Sequence, residues 1–196
     1  MHSVALPSVV HQQAIQHLIR DDGQEDLCFA LWYPSKGTNR TTALIHQLLL
    51  PLPGERRIHG NASFMPGYFE RVRGEAMRIQ AGIAFMHSHP SPGWQGMSND
   101  DVDAERGHAA QVKAATGFPL VGLTAGTDEA WSARFWEKTA PRKYERRWCQ
   151  SVRVVGDRLV VTLHPDHAIR TVFRPELTRT ISAWGPHLQS CLTNLT

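Results

Sequence analysis

His87-Ser-His-Pro-Ser-Pro-Gly-Trp-Gln-Gly-Met-Ser-Asn-Asp-Asp101 sets two histidines two residues apart on one side of a short Gly/Pro loop and a pair of carboxylates on the other, a spacing suited to binding a metal. The run before it, Ala81-Gly-Ile-Ala-Phe-Met, is apolar and reads as a strand buried on both faces. Residues two apart on a strand point to the same side, so His87 and His89 at its end can approach one ion while Ser88 points away. Pro90 and the Pro92-Gly93 pair then break the strand into a loop. From Asn99 the pattern predicts a helix with acids in its first turn, Ser98 as N-cap, Lys113 near its end and Gly117 as the C′ residue. Asp101 falls at the third position after the cap.

Two neutral imidazoles and a carboxylate are three protein ligands, and a tetrahedral zinc site of that kind keeps a fourth position for water. Zinc there would lower the pKa of its water to about 7 and polarise a carbonyl. Each part has a plainer meaning on its own. Ser-x-x-Asp before a helix is a capping-box pattern, and His-x-His is commonly a solvated pair at a strand end. Their combination across one short loop favours a metal site. The motif supplies no base, and hydrolysis of an amide needs a carboxylate to take a proton and return it to the leaving amine. Glu25, ahead of the β-like run Asp26 to Tyr33, is a candidate. By its residue type alone a glutamate there is usually a solvated strand-edge residue; Glu55, Glu70 and Glu75 are the competitors, each better explained as loop or helix surface.

The stretch resembles the signature of the JAMM (MPN-plus) metalloproteases: His-Ser/Thr-His-Pro, a short loop, Ser-x-x-Asp, and a glutamate far upstream. The resemblance is specific over residues 81 to 117, fair from 8 to 80 and weak after about 138. It implies that His87, His89 and Asp101 ligate one zinc ion, that Ser98 helps hold the tetrahedral intermediate, and that Glu25, between the first helix and the first strand, is the general base. Two departures stand out. Eight residues separate His89 from Ser98 where the family usually has seven, so an ungapped count places the third ligand at Asp100. Asp101 is preferred because a Gly/Pro loop absorbs an extra residue more easily than a helix start does. Cys28 stands where the family often has glycine.

What the resemblance implies for activity is zinc-dependent cleavage after the C-terminus of a ubiquitin-like protein, as in prokaryotic members that accompany ubiquitin-like conjugation systems. Its partners would be that protein and its conjugates, together with an adenylating activating enzyme of the same system. Two other readings stay open: a peptidase maturing a ubiquitin-like or sulfur-carrier precursor, and a non-catalytic MPN scaffold. A zinc deaminase is excluded by the lack of a Pro-Cys-x-x-Cys ligand pair.

The chain has 196 residues, enough for one sizeable core, and 41% hydrophobic residues. Its formal charge of +3 is spread along the sequence, with no Lys/Arg block dense enough to argue for nucleic acid. Cys28, Cys149 and Cys191 are far apart and odd in number, which argues for a reducing compartment. With no signal-peptide pattern and no apolar run long enough for a membrane span, the expectation is a cytoplasmic protein that engages no membrane.

The remaining elements predict an α/β fold: one domain over 1–175, a mixed β-sheet flanked by helices, in agreement with the MPN (JAB) fold that the resemblance implies. A helix is expected over 7–20 with Ser8 as a possible cap, strands over 26–33 and 41–50, a long excursion over 51–67, a helix over 68–80, a strand over 118–126 and a hairpin over 151–163. Residues 128–137 are ambiguous between strand and helix. The tail, 176–196, has no assigned structure and would lead into a further domain in a longer protein. A role for Trp94 in packing on the substrate is a further expectation.

Overall fold

The computed structural model describes residues 1–59, 61–167 and 175–193. A mixed nine-stranded sheet is its frame. In chain order the elements are β1 (His2–Pro7), α1 (Ser8–Leu18), β2 (Leu27–Lys36), β3 (Thr41–Leu49), β4 (Arg56–His59), β5 (Asn61–Phe64), α2 (Pro66–Arg78), β6 (Gly82–Ser88), α3 (Asn99–Thr116), β7 (Leu120–Ala125), β8 (Trp131–Ala140), β9 (Lys143–Trp148), β10 (Ser151–Val155), β11 (Leu159–Leu163) and α4 (Thr178–Thr193). The strand order is β11-β10-β1-β3-β2-β6-β7-β8-β9, with β4 and β5 forming a separate hairpin. β1 runs parallel to β10 and β3, and β6 runs parallel to β7; the other pairs are antiparallel.

The period-2 alternation of the central strands divides the core. Cys28, Ala30 and Trp32 of β2 join Ala84 and Met86 of β6 and the buried face of α1. Leu27, Phe29 and Leu31 join Ile83 and Phe85 beneath α2 and α3. Both faces of β2 and β6 are covered, so these strands read as unbroken apolar runs in the sequence. The sheet also curls. His2 of β1 stacks on Phe135 of β8 with ring centroids 4.5 Å apart, although four strands lie between them in the sheet order. The crossing from β9 to β10 fastens the curl through Cys149 N–H to Ala133 O and Gln150 N–H to His2 O, both at 2.9 Å. Cys28 and Cys149 are buried and unpaired; the side chain of Cys191 lies outside those described.

Several elements differ from the sequence-based expectations. Residues 128–137 contain a strand, β8, and its Trp131, Phe135 and Trp136 are core residues. β2 runs past Pro34 to Lys36; there it pairs only with β3, so a missing N–H is tolerated. Ser8 is the first helical residue and not the cap, which is Pro7. β1 and β9 are strands that no periodicity announced: β1 is short and closes on a proline, and β9, an edge strand, is mostly charged, as exposed edges tend to be. The 51–67 excursion holds the β4–β5 hairpin, and the tail holds α4, kinked at Gly185. Among the described residues no helix is long and apolar enough to cross a membrane.

Candidate metal centre

β6 delivers His87 on the same face as Ile83 and Phe85, towards α3, and His89 follows just past the strand end. From the other side α3 delivers Asp101 from its first turn. Ser98 Oγ accepts the Asp101 N–H at 3.1 Å while Asp101 Oδ2 accepts the Ser98 N–H at 2.8 Å. The capping box and the candidate ligand set therefore coexist, and the cap is what aims the carboxylate. Because Ser98 Oγ accepts in the cap, its own hydroxyl hydrogen is free to be donated elsewhere. At the far end Gly117 caps α3 with φ 75°, as the sequence indicated.

His87 Nε2 and His89 Nε2 lie 3.2 Å apart; His87 Nε2 is 3.5 Å from Asp101 Oδ1, and His89 Nε2 is 3.3 Å from Asp101 Oδ2. A divalent ion bound tetrahedrally at about 2.0–2.1 Å separates its ligand atoms by about 3.3–3.4 Å. The three residues fit that figure, and this group could hold a metal ion. Asp100 lines the same cleft but is not part of the converging group.

Burial, helped by the charge of Arg134, pushes the His87 imidazole down to about 3 against the pull of Asp101. At neutral pH it is uncharged, the form a metal requires. For Asp101 burial favours protonation, but the hydrogen bond from His89, the attraction of the His87 ring once acid has protonated it, and the Ser98 cap outweigh it and hold the carboxyl below its usual range. Glu25 is half buried on the rim of the group. Its carboxyl is raised, chiefly by burial, with Asp101 adding to the effect and His89 opposing it. The competing glutamates are each committed to an arginine: Glu55 to Arg71, Glu70 to Arg73 and Glu75 to Arg78.

These groups open on a cleft of about 750 Å³. Glu25, His87, His89, Ser98 and Asp101 line it, β5 forms one wall, and Phe64, Phe69 and Phe85 give it an apolar floor. The excursion thus does border the site. Trp94 is not among the lining residues; it packs edge-on against Trp148 and His164, with ring centroids at 5.9 and 5.0 Å.

Two groups behind the cleft escaped the sequence reading. Asp26, fully buried, faces His17, Arg20 and Arg56 at 3.6, 3.5 and 3.1 Å. Its N–H donates to Ser88 Oγ and its carbonyl accepts the Ser88 N–H, at 3.0 and 3.1 Å, which locks the residue after Glu25 to the residue between the two histidines. The second group is the Arg134–Glu105 pair. Arg134 donates from Nε to Glu105 Oε2 at 3.0 Å, and from a terminal nitrogen to Thr124 Oγ1 at 2.5 Å; Thr124 Oγ1 lies 3.3 Å from His87 Nε2. A Cβ on Gly122 would fall 2.4 Å from both Arg134 Nε and Glu105 Oε2, so only glycine leaves room for the pair. An arginine inside the apolar run Trp131 to Trp136 was the signal available for it.

No family model matches this chain, and no curated protein matches it.

Proposed function

We propose that this chain is a zinc metallopeptidase of the JAMM/MPN type, cleaving an amide bond after the C-terminus of a ubiquitin-like protein. One observation carries the proposal: the nitrogens of His87 and His89 and the carboxylate of Asp101 converge at 3.2–3.5 Å in a cleft that Glu25 and Ser98 also line. His87, His89 and Asp101 would hold the ion. When bound, zinc supplies Lewis-acid polarisation and makes water nucleophilic near neutral pH. The Glu25 carboxylate takes the proton from the attacking water and delivers it to the departing amine nitrogen. Its environment suits this exchange, because burial raises its affinity for a proton and, among the described residues, no arginine salt bridge fixes it as an anion. Ser98 Oγ donates its free hydroxyl hydrogen to the developing oxyanion. The β5 wall and the phenylalanine floor give the cleft an apolar lining suited to an extended chain terminus. The cytoplasm is the compartment in which such a substrate and its activating enzyme would be met.

The test uses zinc-loaded chain with two substrates: a ubiquitin-like protein joined through a lysine side chain, and the same protein extended by a linear peptide. Preference for the first supports deconjugation, and preference for the second supports maturation of a precursor. A zinc-loaded chain inert on both, across several ubiquitin-like proteins, would overturn the peptidase reading in favour of a scaffold.

A further inference from the structure

The loop joining the two halves of the candidate metal centre, Pro90 to Met97, is rich in Gly and Pro and otherwise exposed or partly exposed, yet Gln95 within it is only 6% exposed. Its side-chain nitrogen Nε2 lies 2.8 Å from Ser91 O, 2.9 Å from Pro92 O and 2.9 Å from Gly93 O. Only a donor can face three carbonyl oxygens, so the amide orientation is dictated by its surroundings. Two of these residues, Ser91 and Gly93, are held from outside by the turn between β7 and β8. Thr127 N–H donates to Ser91 O at 3.0 Å, and Gly93 N–H donates to Asp128 Oδ1 at 2.8 Å. Gly126 allows this approach, since a Cβ there would fall 2.9 Å from Ser91 O and 3.0 Å from Gly93 O. Where the loop leaves β6, His89 N–H is fixed to Ala125 O at 2.9 Å.

We infer that Gln95 is a positioning residue for the metal-binding group. This rests on the metal-centre reading of His87, His89 and Asp101. The chain must return from His89 to the Ser98 cap along one path if Asp101 Oδ2 is to stay within 3.3 Å of His89 Nε2. Two hydrogens shared among three carbonyls fix that path from inside the loop, while β7 and the turn fix it from outside. The sequence suggests a pliable linker; the hydrogen bonds make it a spacer of set length.

Gln95→Glu keeps the shape but turns a carboxylate oxygen on the carbonyls, and Gln95→Met removes the donors without adding charge. Zinc affinity of the full chain is measured by competition with a chromogenic chelator, and ligand geometry by the visible spectrum of the Co(II)-loaded chain. Groups that hydrogen-bond a metal ligand directly change affinity by about 10–100-fold, and Gln95, one step further out through the loop, belongs at the lower end of that range. Gln95→Glu is expected to bind zinc at least about tenfold more weakly, with an altered Co(II) band, and Gln95→Met to weaken binding in the same direction by less. Should the glutamate variant fail to melt cooperatively, Gln95→Met carries the test, since a neutral side chain in this loop leaves both cores untouched. Affinities of the cooperatively folding variants within about twofold of wild type, with an unchanged Co(II) band, would overturn the inference and leave the metal centre standing. A wild-type chain that binds neither ion would overturn the metal-centre reading and the inference with it.

Discussion

Glu105→Gln is expected to lower the free energy of unfolding by about 3–5 kcal/mol, the usual effect of removing one partner from a buried ion pair. Arg134 is fully buried, and Glu105 is 2% exposed. The Glu105 carboxylate accepts from two guanidinium nitrogens and from Trp136 Nε1, the last at 2.6 Å. Glutamine offers one acceptor oxygen and turns its amide hydrogens on groups that can only donate, leaving the cation without a counter-charge. Glu105 also lies one turn after Asp101 on α3, so the pair fixes the height of the helix that carries the carboxylate of the candidate metal centre. Urea unfolding should show the loss as a lower midpoint at unchanged slope. The double variant Glu105→Met/Arg134→Met should recover part of the loss, because it leaves no charge unpaired. A loss below about 1 kcal/mol in the single variant would mean that water reaches the pair.

Glu25→Gln is expected to reduce cleavage of a ubiquitin-like substrate by about 10²–10⁴-fold, the usual contribution of a general base, while metal content stays at the wild-type level. Glutamine keeps the size of the side chain but cannot carry a proton between water and amine. Glu25 lines the cleft without belonging to the converging group of His87, His89 and Asp101, so its replacement should leave metal binding intact. Single-turnover cleavage alongside metal quantitation separates the two effects. Turnover within about tenfold of wild type would move the base to Asp100, or to Glu70 released from Arg73, the remaining carboxylates on the cleft outside the converging group.

The residues that meet at the site were the most legible part of the sequence, because a strand end, a breaking loop and a capped helix start each have local signatures. His87 and His89 share a face by strand periodicity, and Ser98 and Asp101 are linked by the helix cap. Asp101 could be preferred over Asp100 on the relative stiffness of helix and loop, and the geometry places Asp101 in the group. The central strands β2, β3, β6 and β7 were legible as apolar runs. Features that depend on distant contacts were not. Asp26 draws its partners from α1, the loop after it and β4, and Arg134 draws its partner from α3. The sheet joins β1 to β10 across about three-quarters of the chain, a pairing no local pattern encodes. The strand β9 and the Trp94 contacts are of the same kind: a charged edge strand is settled by its neighbour β8, and Trp94 by the side chains of Trp148 and His164.

The most direct measurement is zinc content by elemental analysis of purified, zinc-reconstituted wild type and of Asp101→Ala. One zinc per wild-type chain, with content in Asp101→Ala falling well below stoichiometry at an unchanged fold by circular dichroism, is the result the account requires. A reconstituted wild-type chain without zinc, or an Asp101→Ala chain that keeps a full equivalent, would contradict it.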